Sequence, residues 1–122
     1  MVLFAFIFSL FSSHVMAINN KLDIRGGEHG KYSRIVFDWS KPVNYKSRRS
    51  DGVVDIVFDE TAGSLDASNV HADSLKGLKA IRHIKVPSKV THIRLVLPKG
   101  AKHRGYKLGS RVIFDLYHPK IT

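Results

Sequence analysis

The stretch Ser33-Arg34-Ile35-Val36-Phe37-Asp38 decides how the chain is read, because close relatives of it recur three more times. They are Val54-Asp55-Ile56-Val57-Phe58-Asp59, Ile93-Arg94-Leu95-Val96-Leu97-Pro98 and Ser110-Arg111-Val112-Ile113-Phe114-Asp115. Each copy is a run of β-branched and aromatic residues with a charge near its start, and three of the four close on Asp. Half-buried strands that end in turns have this form. The copies are also ordered in pairs. At an offset of 60 (Arg34 to Arg94), Leu22 to Gly26 falls on Arg82 to Val86, and Arg34 to Phe37 falls on Arg94 to Leu97. Further on, Tyr45-Lys46 answers Tyr106-Lys107, and Asp55 to Asp59 answers Arg111 to Asp115. The chain therefore reads as two diverged halves of one unit, residues 21–60 and 80–118.

Working outward, the halves hold eight expected strands: Lys21 to Gly26, Tyr32 to Ser40, Val43 to Arg48, Val53 to Asp59, Ala80 to Val86, Thr91 to Leu97, Gly105 to Leu108 and Ser110 to Tyr117. Ser50-Asp51-Gly52 is a hairpin signal, since both Asp and Gly tolerate positive φ. Glu60 to Lys79 is the connector, rich in Ala, Ser, Asp and Gly, with room for one short helix over Ala72 to Leu78. This pattern predicts an all-β sandwich of two similar, pseudo-symmetric short sheets; an open barrel is the alternative.

Residues 1–17 stand apart from the repeat. Val2 to Phe11 is apolar except for Ser9, and Val15-Met16-Ala17 offers small residues for a cut after Ala17, so the segment reads as a secretory signal peptide. The competing reading is an uncleaved anchor, but the apolar run falls short of the roughly 20 residues that span a bilayer. Ile18 to Thr122 then forms one domain. It contains no cysteine, so its stability must come from packing. The net charge of +10 lies wholly outside residues 1–17. Such a balance either keeps a small protein soluble or selects anionic partners; in an exported chain these are envelope polymers and acidic lipid rather than nucleic acid.

Alternation assigns faces. Ile35, Phe37 and Trp39 share one side of their strand, while Arg34, Val36 and Asp38 share the other. By the same parity Ile56, Phe58, Ile93, Leu95, Leu97, Val112, Phe114 and Leu116 point inward. The outward rows are Asp55, Val57 and Asp59; Arg94 and Val96; and Arg111, Ile113 and Asp115. Each half is thus expected to show the same outer surface, an Arg with a β-branched residue two positions on.

At these residues the sequence resembles the AMIN domain of bacterial envelope proteins. Arg34-Ile35-Val36-Phe37-Asp38-Trp39-Ser40-Lys41-Pro42-Val43 is similar to that family's Arg, three hydrophobics, Asp, three variable positions, Pro-Val strand. The likeness extends through Val53 to Asp59, Thr91 to Leu97 and Arg111 to Leu116, from Leu22 to Pro119 in all. It departs at Asp55, where the family usually has Arg, and at Pro98, where the third copy would have Asp. What the resemblance implies is a sandwich of two related sheets, each exposing a motif outward, with a non-catalytic role in the periplasm. That role is to hold proteins to peptidoglycan, often at the division site, or to sit in secretin and pilus assemblies.

The expected ligand-binding set is therefore Arg34, Val36, Asp38, Arg94, Val96, Arg111, Ile113 and Asp115. Arg is a planar, bidentate donor suited to the carboxylates of peptidoglycan stem peptides, and the β-branched residues offer ledges for sugar or peptide methyls. Against this, each Arg could simply pair across strands with Asp38, Asp59 or Asp115. Two other readings stay open. One is an adaptor for a secretin, pilus or division protein, using edge strands and the basic loops Lys46 to Arg49 and Lys99 to Arg104. The other is peripheral docking to acidic lipid or lipopolysaccharide through those loops. Little points to an enzyme. The six His residues that follow the expected signal segment, at 29, 71, 83, 92, 103 and 118, form no close ligand pattern, although His83 and His92 could lie on neighbouring strands. Ser33 and Ser110 lack nucleophile-elbow glycines. Asp38 and Asp115 are expected to be exposed rather than tuned as an acid and base pair. No cofactor and no metal are expected.

Overall fold

Strict alternation of apolar and polar side chains shapes the central strands. In Tyr32–Trp39 every second residue is buried, and the same holds for Val53–Phe58 and Thr91–Val96. The computed structural model describes residues 20–119; the expected signal segment lies outside them. The strands are β1 (Lys21–Glu28), β2 (Tyr32–Trp39), β3 (Tyr45–Ser50), β4 (Val53–Phe58), β5 (Ser64–Asn69), β6 (Ala80–Ile84), β7 (Thr91–Val96), β8 (Lys102–Leu108) and β9 (Arg111–Tyr117). They build a five-stranded sheet, β5-β1-β2-β9-β8, and a four-stranded sheet, β3-β4-β7-β6. The two pack face to face as a β-sandwich.

Each sheet takes strands from both halves of the chain. The order β1-β2-β9-β8 in one sheet matches β6-β7-β4-β3 in the other, so the duplication appears as a pseudo-twofold exchange of hairpins between the layers. Hairpin registers fix the equivalence. Ser50 opposite Val53 matches Leu108 opposite Arg111, and Tyr45 opposite Phe58 matches His103 opposite Leu116. The shift is 58 residues in this hairpin (Ser50 to Leu108), where the sequence alignment set Tyr45 on Tyr106 and Asp55 on Arg111. The pairing of β4 with β7 maps onto that of β9 with β2 at the same shift, Val53 opposite Val96 onto Arg111 opposite Asp38, so 58 also replaces the 60 expected for the second strand. Both hairpins turn through two residues, and the first of each has positive φ, 57° at Asp51 and 60° at Gly109.

The core lies between the layers. Phe37, Phe58 and Phe114 are fully buried at its centre, with Phe37 5.2 Å from Phe58 and 6.1 Å from Phe114, ring centre to ring centre. Trp39 packs edge-on against Phe58 at 5.1 Å. Offset and edge-on rings of this kind add to the free energy of burying apolar area. Gly105 faces Phe114 across β8 and β9, and a Cβ there would stand 2.7 Å from the ring. The glycine is what lets the ring lie flat under the edge strand.

The connector differs from expectation in two ways. It contributes a ninth strand, β5, parallel to β1, and its helical content is one 3-10 turn at Ala72–Ser74. Leu65 and Ala67 of β5 pack against the core, as do the buried Leu75 and Leu78 that follow. Gly77 runs so close to β9 that a Cβ would meet the Leu116 carbonyl at 2.6 Å, and its N–H donates to Ser33 Oγ at 2.8 Å.

Candidate functional site: the outer sheet faces

Antiparallel pairing of β2 with β9 gathers six of the expected site residues on one surface. Arg34 stands opposite Asp115, Val36 opposite Ile113, and Asp38 opposite Arg111. The flanking strands widen these into rows. Gly27 and Arg104 flank the first, Arg25 and Tyr106 the second, Asp23 and Leu108 the third. Arg94 and Val96 lie on the outer face of the other sheet, so the eight residues divide between two surfaces.

On the first surface Arg34 is held by a two-point ion pair. Its Nε and Nη2 donate to the two oxygens of Asp115 at 2.8 and 3.1 Å, and that hydrogen bonding holds the guanidinium even more firmly protonated than usual. Asp115 is buried, contrary to the exposure that parity suggested, because Arg34 lies across it. Arg25 Nη1 donates to Asp38 Oδ2 at 3.1 Å. Arg111 is looser, with Nε 3.7 Å from the same Asp38 oxygen and a side chain 56% exposed. Ring contacts border the surface: Arg34 sits over Tyr32 at 5.3 Å, Arg104 over Tyr106 at 4.8 Å, and His29 stacks on Tyr32.

Between these groups runs an open groove of about 400 Å³. Val36, Ile113 and Leu108 form its apolar part, Ile113 buried beneath its neighbours where parity suggested an exposed ledge and Leu108 exposed, and Arg25, Arg34 and Arg111 bring cationic nitrogens to it. Gly26 and Gly27 of β1 also line it; Gly27 shares the outward face and leaves the groove open there, whereas a side chain on Gly26 would turn inward against Leu75. Sequence reasoning missed Arg25, Gly27, His29 and Leu108. The first strand, expected to end at Gly26, continues through Gly27 to Glu28.

The opposite surface is not a copy. At the 58-residue shift Arg34 corresponds to His92, Val36 to Arg94 and Asp38 to Val96, so the expected twofold repetition of one surface does not hold. Here Asp55 is shared: Arg94 donates to its oxygens at 2.8 and 3.3 Å, and His92 Nε2 lies 2.8 Å away. The Arg94 hydrogen bond, helped by His92, holds the Asp55 carboxyl below its ordinary value despite partial burial. Arg48 and Arg82 stand in the same row, on β3 and β6. His83 and His92 are on neighbouring strands as expected, but the register sets Ile84 beside His92 and turns His83 to the other face.

One further polar cluster closes the end of the sandwich. Glu28 accepts from Ser33 Oγ at 2.7 Å and from the Lys76 N–H at 3.1 Å, and His118 Nε2 lies 2.6 Å from its second oxygen. Burial works to raise the Glu28 pKa, but the hydrogen bonds from Ser33 and the Lys76 N–H, helped by the charges of His118 and Lys76, outweigh it and the carboxyl lies below its ordinary value. Ser33 is fully buried and already donates to Glu28, so the trio joins β1, β2 and the connector rather than presenting a nucleophile. In comparisons with known proteins, no family model matches the chain, and no curated protein matches it significantly.

Proposed function

We propose that the protein is a non-catalytic binding module of the periplasm that holds peptidoglycan in the groove over β2 and β9, and so localises envelope or division machinery. The observation that carries this reading is the gathering of Arg25, Arg34 and Arg111 around the Val36 and Ile113 ledge. Cationic forks beside a small apolar floor suit a polymer that offers stem-peptide carboxylates next to methyls and sugar rings. Arg34 is pre-set by Asp115 and presents its remaining donors without losing rotamer freedom on binding. Arg111 and Arg25, more exposed, supply the contacts that adjust to the ligand.

Co-sedimentation with sacculi stripped of protein and lipid tests the proposal. The protein should pellet, and the double variant Arg25→Ala, Arg111→Ala should lose at least fivefold in bound fraction while keeping its thermal midpoint. Wild-type protein that stays in the supernatant at low salt would overturn the assignment.

A further inference from the structure

The pseudo-twofold axis leaves one strand position empty. In the larger sheet β1 has two neighbours, β2 and the parallel strand β5. Its counterpart β6 has one, β7, and among the described residues nothing pairs along its other side. The hydrogen-bond alternation shows which groups are free there. Leu97 N–H bonds to Gly52 O on the β4 side, while Val96 O accepts from Lys79 N–H on the β6 side. Even-numbered residues of β7 therefore turn to β6, and their partners Ala80, Arg82 and Ile84 turn back to β7. The N–H and C=O groups of Ile81 and His83 are left facing outward, as on any open sheet edge.

Beside that edge lies a groove of about 220 Å³ between the two layers, lined by Ala62, Leu65, Ile84, Val86 and Val90 among others. On the other side of the same sheet, β3 is a poor acceptor for a further strand, since it carries Lys46, Arg48 and Arg49 over six residues and Arg49 clasps the Ala101 carbonyl. β6 carries one Lys or Arg, Arg82, over its five residues, and no such clasp covers it among the described residues.

We propose that the β6 edge is a binding site for an extended segment of another protein, which adds as a parallel strand and presses small apolar side chains into the adjoining groove. Two features define the segment. The first is the internal template: β5, Ser64-Leu65-Asp66-Ala67-Ser68-Asn69, turns Leu65 and Ala67 toward the core and carries Asp66 between them. The second is charge. Residues 79–98 include Lys79, Arg82, Lys85, Lys89 and Arg94 and contain no Asp or Glu. The fitting partner is thus an acidic strand, small apolar residues alternating with Asp or Glu. The site is separate from the groove over β2 and β9 and stands or falls without it.

The test is a titration of isotope-labelled protein with an eight-residue capped peptide of alternating Leu and Asp, followed by amide shifts. The expected result is shifts confined to residues 61–65 and 80–91, saturating, with the Leu-Lys analogue binding at least tenfold more weakly. His83→Pro removes an edge N–H at a position where proline is tolerated and should abolish binding. Lys85→Glu, which leaves the backbone intact, should weaken it severalfold and serves if the proline variant fails to fold. Equal binding of the Leu-Lys peptide, shifts elsewhere, or no shift at millimolar peptide would each overturn the proposal. So would concentration-dependent shifts of the β6 amides without peptide, which assign the edge to a second copy of the chain.

Discussion

Arg34 and Arg111 look alike in sequence yet sit in different surroundings. Arg34 covers a buried carboxylate through two short hydrogen bonds, whereas Arg111 is more than half exposed and 3.7 Å from its acid. Truncating Arg34 leaves Asp115 buried without its partner, so it is a poor probe of binding. Arg111 is the cleaner one. Gly105 shows the same dependence on surroundings. Its missing side chain is filled by the Phe114 ring, so Gly105→Val must push the ring aside or bend β8. The expected cost is about 1–3 kcal/mol of stability, read from urea unfolding, with no change in the slope of the transition. Its position opposite Phe114 depends on hairpin register, which the sequence 102–108 alone did not specify.

Strand positions were legible to within a few residues because alternation is a local signal, and every inward residue assigned by parity in β2, β4, β7 and β9 is buried. β5 was not legible. Its alternation is shallow, its residues are small and polar, and it exists because β1 offers it an edge and a hydrophobic margin. The same holds at the end of the sandwich, where Glu28 meets Lys76 of the connector and His118 after β9 through contacts distant in sequence. Its carboxylate accepts hydrogen bonds that the unfolded chain lacks, so its contribution is complete above the ordinary value of 4.5 and is lost as pH falls through the lower folded value. Glu28→Gln should cost roughly 1 kcal/mol at neutral pH, after allowance for partial exposure, and should flatten the acid limb of the stability profile. Parallel thermal melts between pH 7 and pH 3 check both effects.

At the scale of the molecule, duplication and folding unit do not coincide. Because each sheet interleaves hairpins from both halves, neither half alone can bury its apolar rows. Chains 20–77 and 78–119 expressed separately should be unfolded by circular dichroism and should regain the strand signal on mixing. Duplication was readable from the repeated motifs. The exchange between layers was not, since pairing of β2 with β9 is a long-range choice that no local run records. At the 58-residue register the two outer faces differ, the matching positions carrying Arg34 and His92, Val36 and Arg94, so symmetry is kept in the backbone and not in the side chains. Finally, the chain's single tryptophan lies in the interior against Phe58, with its indole N–H buried and without an acceptor among the described residues. The molecule thus carries its own optical gauge of layer separation: the blue-edged emission of Trp39 will redden when the sheets part and stay constant while ligands come and go outside.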